Sequence, residues 1–256
     1  MANTNLAVEK ANGVALITLN HPPVNAISRA MLVELALEFD AVEVDDAVRV
    51  VVITGAGDKT FSAGADFREF AVEDVRDFQQ RGAVLFDRIE HFRKPVIAAL
   101  NCGAYGGGLE LALCCHLRFM ADTAEFAFTE VTLGIMPGWG DTQRLPRLVG
   151  RARALEYLLT GERVNAQDAL ICGLVNRVYK RSELLGETRT FAEKLAKGAP
   201  LAMAAILDAV VRGSDTTLAE GSRIESEYAL SLGETEDALI GVTSFLQNQE
   251  PQFKGR

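Results

Sequence analysis

The sequence predicts an α/β core followed by a helical region. Two observations support this: β-rich runs alternate with helical patterns through the first 195 residues, and strand patterns then give way to helices. The chain has 256 residues, and 48% of them are hydrophobic, enough for a full core. We therefore expect a core at residues 1–195 and a helical appendage at residues 196–256.

The first elements along the chain are strands separated by one helix. Residues 14–19 and 48–54 are apolar and rich in β-branched side chains, which favours strands. Between them, apolar residues recur at helical spacing after Ser28, a suitable N-cap. Another β-rich run covers residues 96–100, and residues 118–128 predict further short extended pieces.

A glycine-rich segment then opens a helix that is apolar almost all the way round. Gly106, Gly107 and Gly108 precede this helix, and such a helix is expected to be buried. Its single charge is Glu110, and a lone buried carboxylate is unfavourable unless it is paired or takes part in chemistry. A structural ion pair remains an alternative, and its candidate partners are Arg118, His116 and Arg144.

A second acid follows on an apolar background. Period-2 alternation through residues 126–130 places Glu130 on the same face as Phe126 and Phe128. The alternative is a surface carboxylate that ends a strand. Two such acids beside one glycine-rich helix start favour an active site.

The tail is predicted to be helical. Strand patterns after residue 145 are confined to residues 174–179. Pro200 stands at a first helical position, and an apolar stripe runs from Met203 to a stop at Gly213. Thr217 and Glu220 fit a capping box. These helices can cover their own core or a neighbouring subunit, and the sequence leaves both arrangements open.

Charge and composition exclude several classes of protein. The net charge of −9, without blocks of like charge, argues against nucleic-acid binding. No segment has the length and apolarity of a membrane span, and the start of the sequence lacks a signal-peptide pattern, so we expect a cytoplasmic protein. The four cysteines and three histidines show no metal-ligand spacing, which predicts buried free thiols and no metal.

Six sequence blocks occur in a characteristic order: KTFSAGADF (59–67), KPVIAALNCGAYGGGLE (94–110), FTEV (128–131), GIMPG (134–138), TQRLP (142–146) and LTGE (159–162). In order and spacing they resemble the crotonase superfamily, and enoyl-CoA hydratases in particular, from about residue 14 to 179 with a weaker helical match beyond. The resemblance implies a crotonase-like spiral of ββα units with a C-terminal helical trimerisation region. It also implies a homo-oligomer, either a trimer or a dimer of trimers.

The resemblance further implies a reaction, the syn addition of water to a trans-2-enoyl-CoA. Glu110 and Glu130 match the two catalytic carboxylates, and the backbone N–H groups of Ala65 and Gly107 match the oxyanion hole. No metal or redox cofactor is implied, because coenzyme A enters as part of the thioester substrate. Contacts with the substrate or its coenzyme A are implied for Ala63, Asp66, Phe67, Arg68, Gly106, Pro137, Gly138 and Trp139, with Ala63 near the adenine and Arg68 near the phosphates.

Several alternatives stay open at this stage. Trp139 and Asp141 depart from a loop that is usually rich in glycine, so the acyl group is undetermined. A Δ3,Δ2-enoyl-CoA isomerase, a hydratase for an unusual acyl group such as a cyclic dienoyl-CoA, and a non-catalytic acyl-CoA- or RNA-binding protein are the rival functions. We assign water activation to Glu110 and protonation of C2 to Glu130, although the roles can be exchanged. Residues 67–93, which include Val72, form either a wall of the acyl pocket or an amphipathic surface helix.

Overall fold

The computed structural model describes residues 4–71 and 75–256 of the chain. Residues 1–3 and Val72 lie outside the described residues. Residues 1–3 belong to the start that was predicted to lack a signal-peptide pattern, and Val72 belongs to the segment 67–93. Within the described ranges the chain forms two β-sheets, surrounded by α-helices. The mixed α/β class predicted from the sequence is confirmed.

The larger sheet has six strands and forms the centre of the core. Its order is β1 (Leu6–Ala11), β2 (Val14–Leu19), β3 (Val50–Gly55), β5 (Val96–Leu100), β7 (Leu117–Ala121) and β10 (Arg177–Tyr179). All neighbouring strands are parallel except β1 and β2, which form an antiparallel hairpin. Every residue of β3 and β5 is buried, as expected for parallel strands covered on both faces.

The smaller sheet has four short strands. Its order is β4 (Thr60–Ser62), β6 (Gly103–Tyr105), β8 (Glu125–Ala127) and β9 (Val164–Asn165). Along the chain β3 is followed by β4, β5 by β6 and β7 by β8, and each pair then leads to a helix. This repetition is the spiral of ββα units that the resemblance implies.

The α-helices are α1 (Arg29–Glu43), α2 (Val75–Glu90), α3 (Gly107–Cys114), α4 (Asp141–Val149), α5 (Arg151–Thr160), α6 (Ala166–Ile171), α7 (Arg181–Ala196), α8 (Pro200–Ser214), α9 (Leu218–Gly233) and α10 (Glu236–Gln247). The predicted cap of α1 is confirmed, since Ser28 accepts a hydrogen bond from the Met31 N–H at 3.1 Å. All eight residues of α3 are buried, which confirms the prediction for that helix.

Most of the predicted boundaries are close to those observed. The runs 14–19 and 96–100 form strands over those residues, whereas the predicted strand 174–179 is confined to Arg177–Tyr179. In the tail, Pro200 is the first residue of α8, and Thr217 caps α9 by accepting a hydrogen bond from the Glu220 N–H at 3.3 Å. Strands β1, β4, β6 and β9 were not predicted, because none of them shows a clear apolar run.

The C-terminal helices are less deeply buried than the core. Helix α7 packs on β3, β5 and β7, whereas α8 and α9 pack mainly on each other. Several large apolar side chains of α8–α10 are exposed: Ile206, Val210, Leu230, Val242 and Phe245. Among the described residues, no helix combines the length and the apolarity that crossing a bilayer requires.

All four cysteines are free. Cys102, Cys114 and Cys115 are buried as predicted, but Cys172 is partly exposed because it lies at the C-terminal end of the short helix α6.

Candidate active site

The site begins where β6 turns into α3. Gly106 makes this turn with a φ of 48°, a conformation that a residue with a Cβ adopts only with strain. A Cβ at this position would also lie 2.8 Å from Oε1 of Glu130. The turn therefore requires glycine, and it brings the first turn of α3, which carries Glu110, next to the second acid.

Glu130 is buried, but not for the reason that the sequence pattern suggested. Strand β8 ends at Ala127, and Glu130 is the first residue of a 3-10 turn, Glu130–Leu133. The expectation that period-2 alternation continues to Glu130 is thus wrong, because the chain leaves the sheet before that residue. Glu130 is nevertheless only 6% exposed, which contradicts the alternative of a surface carboxylate.

No ion pair accounts for the burial of Glu110, which is 3% exposed. Its Oε1 accepts a hydrogen bond from the backbone N–H of Trp139 at 2.7 Å. The three cations considered as partners are engaged elsewhere: Arg118 donates to the carbonyls of Leu174 and Cys115, Arg144 pairs with Glu90, and His116 contacts the backbone of Val96 and Glu90. The structural alternative for Glu110 is therefore not supported.

Burial raises the pKa of both acids. Loss of solvent around Glu110, and to a smaller extent the charge of Glu130, raises the pKa of Glu110 to about 7 against the opposing effect of the Trp139 N–H. Burial also raises the pKa of Glu130. Its Oε2 has no hydrogen-bond partner among the described residues. Both carboxyl groups therefore keep a proton to higher pH than an exposed glutamate does.

Two backbone N–H groups lie together beside these acids. No backbone hydrogen bond of the described residues uses the N–H of Ala65 or of Gly107. A Cβ added to Gly107 would lie 3.3 Å from the Ala65 nitrogen, and one added to Gly64 would lie 2.9 Å from the Gly107 nitrogen. The Gly107 amide also stands at the N-terminus of α3, where unpaired N–H groups favour negative charge. The two amides can thus donate to one oxygen atom.

A third buried acid lies next to this pair. Asp141 opens α4, its side chain is fully buried, and neither carboxyl oxygen has a hydrogen-bond partner among the described residues. Burial raises the pKa of Asp141 well above its ordinary value, and the charges of Glu110 and Glu130 act in the same direction. The sequence analysis noted Asp141 only as a departure from the family loop, because no sequence pattern shows that its side chain points inward.

These groups surround a cavity of about 360 Å³. Nine of the predicted site residues line it: Ala63, Ala65, Phe67, Gly106, Gly107, Glu110, Glu130, Gly138 and Trp139. Asp66, Arg68 and Pro137 do not line it. Asp66 is instead held by Arg68 through two hydrogen bonds of 2.8 and 2.6 Å. Gly64, Thr129, Ile135 and Met136 also line the cavity and were not predicted, whereas Val75 and Gln79 belong to the segment 67–93, for which a pocket wall was one of the two predictions.

One group of possible metal ligands lies outside this cavity. Asp87, Glu90 and His91 place ligand atoms within 4.8 Å of one another near the end of α2. Arg144 already binds the Glu90 carboxylate at 2.7 Å. We therefore assign no metal-binding role to this group.

Comparison with known proteins agrees with the geometry. Residues 9–256 match the sequence profile of the family "Enoyl-CoA hydratase/isomerase". The chain belongs to this family. Within the family, it is 40% identical to a probable enoyl-CoA hydratase of Bacillus subtilis (94% of this chain and 95% of that one covered) and 39% identical to a crotonyl-CoA hydratase of Syntrophomonas wolfei (99% of each covered).

The fold of a solved family member agrees as well. The crystal structure of an enoyl-CoA hydratase from Bacillus anthracis superimposes with a TM-score of 0.96, at 38% identity, covering 99% of this chain and 100% of that one. The crotonase fold and the family predicted from the six sequence blocks are thereby confirmed.

Proposed function

We propose that this chain is an enoyl-CoA hydratase that adds water across the double bond of a trans-2-enoyl-CoA to give a 3-hydroxyacyl-CoA. The observation that carries the proposal is the meeting of two buried, unpaired carboxyl groups, Glu110 and Glu130, beside two unused backbone N–H groups in one small cavity. The names of the relatives from Bacillus subtilis and Syntrophomonas wolfei support the same reaction.

The N–H groups of Ala65 and Gly107 are proposed to bind the thioester oxygen. When water attacks C3, the π electrons of the C2–C3 bond move toward the carbonyl, and negative charge accumulates on that oxygen. Fixed amide donors in a cavity with little water stabilise this charge, and removing one such donor from an enzyme typically costs about 3 kcal/mol.

Glu110 and Glu130 are proposed to move the two protons. Glu110 takes a proton from water as the oxygen bonds to C3, and Glu130 donates a proton to C2, so that the double bond is replaced by one C–O and one C–H bond. The Trp139 N–H stabilises the ionised form of Glu110, whereas Oε2 of Glu130 has no donor that would favour its ionised form. With Glu110 ionised and Glu130 protonated, the pair supplies the base and the acid that water addition needs.

We further propose that no metal or redox group is required, since water addition needs only a proton acceptor, a proton donor and charge stabilisation. Coenzyme A arrives with the substrate. We also propose a cytoplasmic location, which is supported by the four free cysteines, since free thiols are typical of reducing compartments.

The direct test is incubation with crotonyl-CoA while the absorbance of the conjugated thioester is followed. We expect that absorbance to fall as 3-hydroxybutyryl-CoA forms. Stable absorbance with crotonyl-CoA, together with its appearance from a 3-enoyl-CoA, would contradict the hydratase and identify an isomerase.

The exposed apolar residues of α8–α10 support a homo-oligomer, either a trimer or a dimer of trimers. Phe245 of α10 is 81% exposed in the single chain, an unfavourable position for so large an apolar group. Light scattering at micromolar concentration should give three or six times the chain mass of 27.7 kDa. A monodisperse species of 27.7 kDa would contradict the proposal.

A further inference from the structure

Trp139 fills a slot between two helices at the edge of the catalytic cavity. Its indole ring is 2% exposed and packs edge-on against Phe78 and Phe86 of α2, with centroid distances of 5.3 and 5.1 Å. A Cβ added to Gly82 on α2 or to Gly107 on α3 would overlap this ring. Both helices therefore leave room for an indole at this point.

The ring is held by its shape and not by a hydrogen bond. Buried tryptophans usually find an acceptor for the indole N–H. Nε1 of Trp139 is buried and has no partner among the described residues. A smaller apolar side chain would avoid this unsatisfied donor, so the volume of the indole is the property that the site uses.

Trp139 also separates two cavities. Together with Gly138 it lines both the catalytic cavity of about 360 Å³ and a second cavity of about 660 Å³. The second cavity lies between α2 and α4, where Ala83, Val84 and Arg144 contribute to its wall. The indole therefore forms part of the wall between the two spaces.

The catalytic cavity is small for its proposed substrate. Pockets for drug-sized ligands span roughly 300–1,000 Å³, and this one lies near the lower limit. It must hold the thioester group next to Ala65 and Gly107 and the end of the pantetheine arm. Little volume is then left for the acyl chain beyond C3.

We propose that Trp139 is a specificity-determining residue that closes the acyl end of the cavity, so that the site accepts short 2-enoyl chains and rejects long ones. This inference rests on the proposed function of the same site. Replacing the indole by a smaller group would let a long chain pass into the second cavity.

The test compares Trp139→Ala with the matched control Phe86→Ala. Phe86 packs on the same ring but lines neither cavity, so both variants lose aromatic packing and only the first changes the wall. Calorimetry measures the affinity for butyryl-CoA and dodecanoyl-CoA, which are saturated and cannot be hydrated. The ratio of kcat/KM for trans-2-dodecenoyl-CoA to that for crotonyl-CoA is the second readout.

We expect Trp139→Ala to raise both long-to-short ratios at least tenfold, roughly the smallest discrimination that one methylene gives in an apolar pocket. Phe86→Ala should keep the wild-type ratios even where it lowers the melting temperature. If Trp139→Ala does not fold, Trp139→Phe replaces it and is expected to shift the ratios in the same direction.

Wild-type ratios in a folded Trp139 variant would overturn the inference, and so would equal affinity of the wild-type protein for the two saturated thioesters. Selective binding of butyryl-CoA that is lost in Trp139→Ala, without turnover of any 2-enoyl-CoA, would support the inference while contradicting the proposed hydratase function. The binding and kinetic readouts thus separate the two claims.

Discussion

Buried acids are treated in opposite ways in the catalytic core and in the C-terminal region. Asp237 of α10 is 3% exposed, and its two carboxyl oxygens accept hydrogen bonds from the backbone N–H groups of Lys254 and Gly255 at 2.6 and 2.9 Å. Asp141 is at least as deeply buried and has no partner for either oxygen among the described residues. Asp237 binds the C-terminal segment to α10 through two hydrogen bonds. Asp141 is removed from solvent without a hydrogen bond to any described residue.

The number of hydrogen-bond donors around a buried carboxyl group decides whether that group stabilises the fold or is available for proton transfer. Backbone N–H groups satisfy the oxygens of a buried carboxylate, and such hydrogen bonds contribute to stability. Around the cavity, burial favours the protonated forms of Glu110, Glu130 and Asp141 and raises the pKa of each. Acids in this state can exchange protons with a substrate.

The largest expected effect is on catalysis. Glu110→Gln and Glu130→Gln should each lower kcat for crotonyl-CoA hydration by at least ~100-fold, because each removes a general acid or base. Both variants should fold, since glutamine keeps the size of the side chain. The initial rate of absorbance loss measures the effect, and circular dichroism checks the fold.

Asp237→Asn is the matched control for these two variants, because Asp237 is a buried acid that accepts backbone N–H groups and does not line the cavity. Near-normal turnover by either glutamine variant would mean that the unpaired acids are not the reacting groups.

Asp237→Ala should be the largest change in stability. It leaves the N–H groups of Lys254 and Gly255 without their acceptor, and hydrogen bonds to a charged group are worth roughly 1.5–3 kcal/mol each. We expect the free energy of unfolding to fall by about 3 kcal/mol or more in urea titrations at fixed protein concentration. Asp46→Ala, at an exposed position, is the control. Equal effects of the two changes would remove the contrast between the two regions.

Asp141→Asn should instead raise the free energy of unfolding relative to the wild type, by an amount that increases with pH. The pKa of Asp141 is raised in the folded chain, so the folded wild-type protein holds this proton to higher pH than the unfolded chain does. The stability of the wild type relative to the variant is therefore greatest below about pH 3.8 and decreases at higher pH, where Asp141 of the unfolded chain is ionised. As the pH rises above about 4, the stability of the variant relative to the wild type should increase, by up to about 1.4 kcal/mol per pH unit. Unfolding curves measured at a series of pH values from about 4 upward test this. A difference that does not change with pH would contradict a protonated Asp141.

The sequence predicted the parts of the site that depend on local pattern. The glycine-rich start of α3, the burial of Glu110 and the cap at Ser28 follow from residue type and spacing, and the six blocks identified the family. The division of the chain at residue 195 and the catalytic roles of the two glutamates stay predictions.

Other features depend on how distant segments meet. Glu130 was expected on a strand but lies in a 3-10 turn, because the end of β8 is set by its pairing with β6 and β9. Ile135 and Met136 line the cavity, although nothing in their local sequence indicates it. The segment 67–93 was predicted to form either a wall of the pocket or a surface helix, and helix α2 has features of both. Val75 and Gln79 line the cavity, while other residues of the same helix, such as Val84, are exposed.

The central claim is that burial prepares Glu110 as the base and Glu130 as the acid of the reaction, and the pH dependence of kcat/KM for crotonyl-CoA tests it most directly. This quantity reports the ionisation of the free enzyme. Because Glu110 must be ionised to accept a proton from water and its pKa is about 7, kcat/KM should rise as the pH rises through about 7. It should fall again at higher pH, where Glu130 loses the proton that it donates to C2. A constant kcat/KM from about pH 5 to 9, or an acid limb alone near the ordinary pKa of glutamate, would contradict the account.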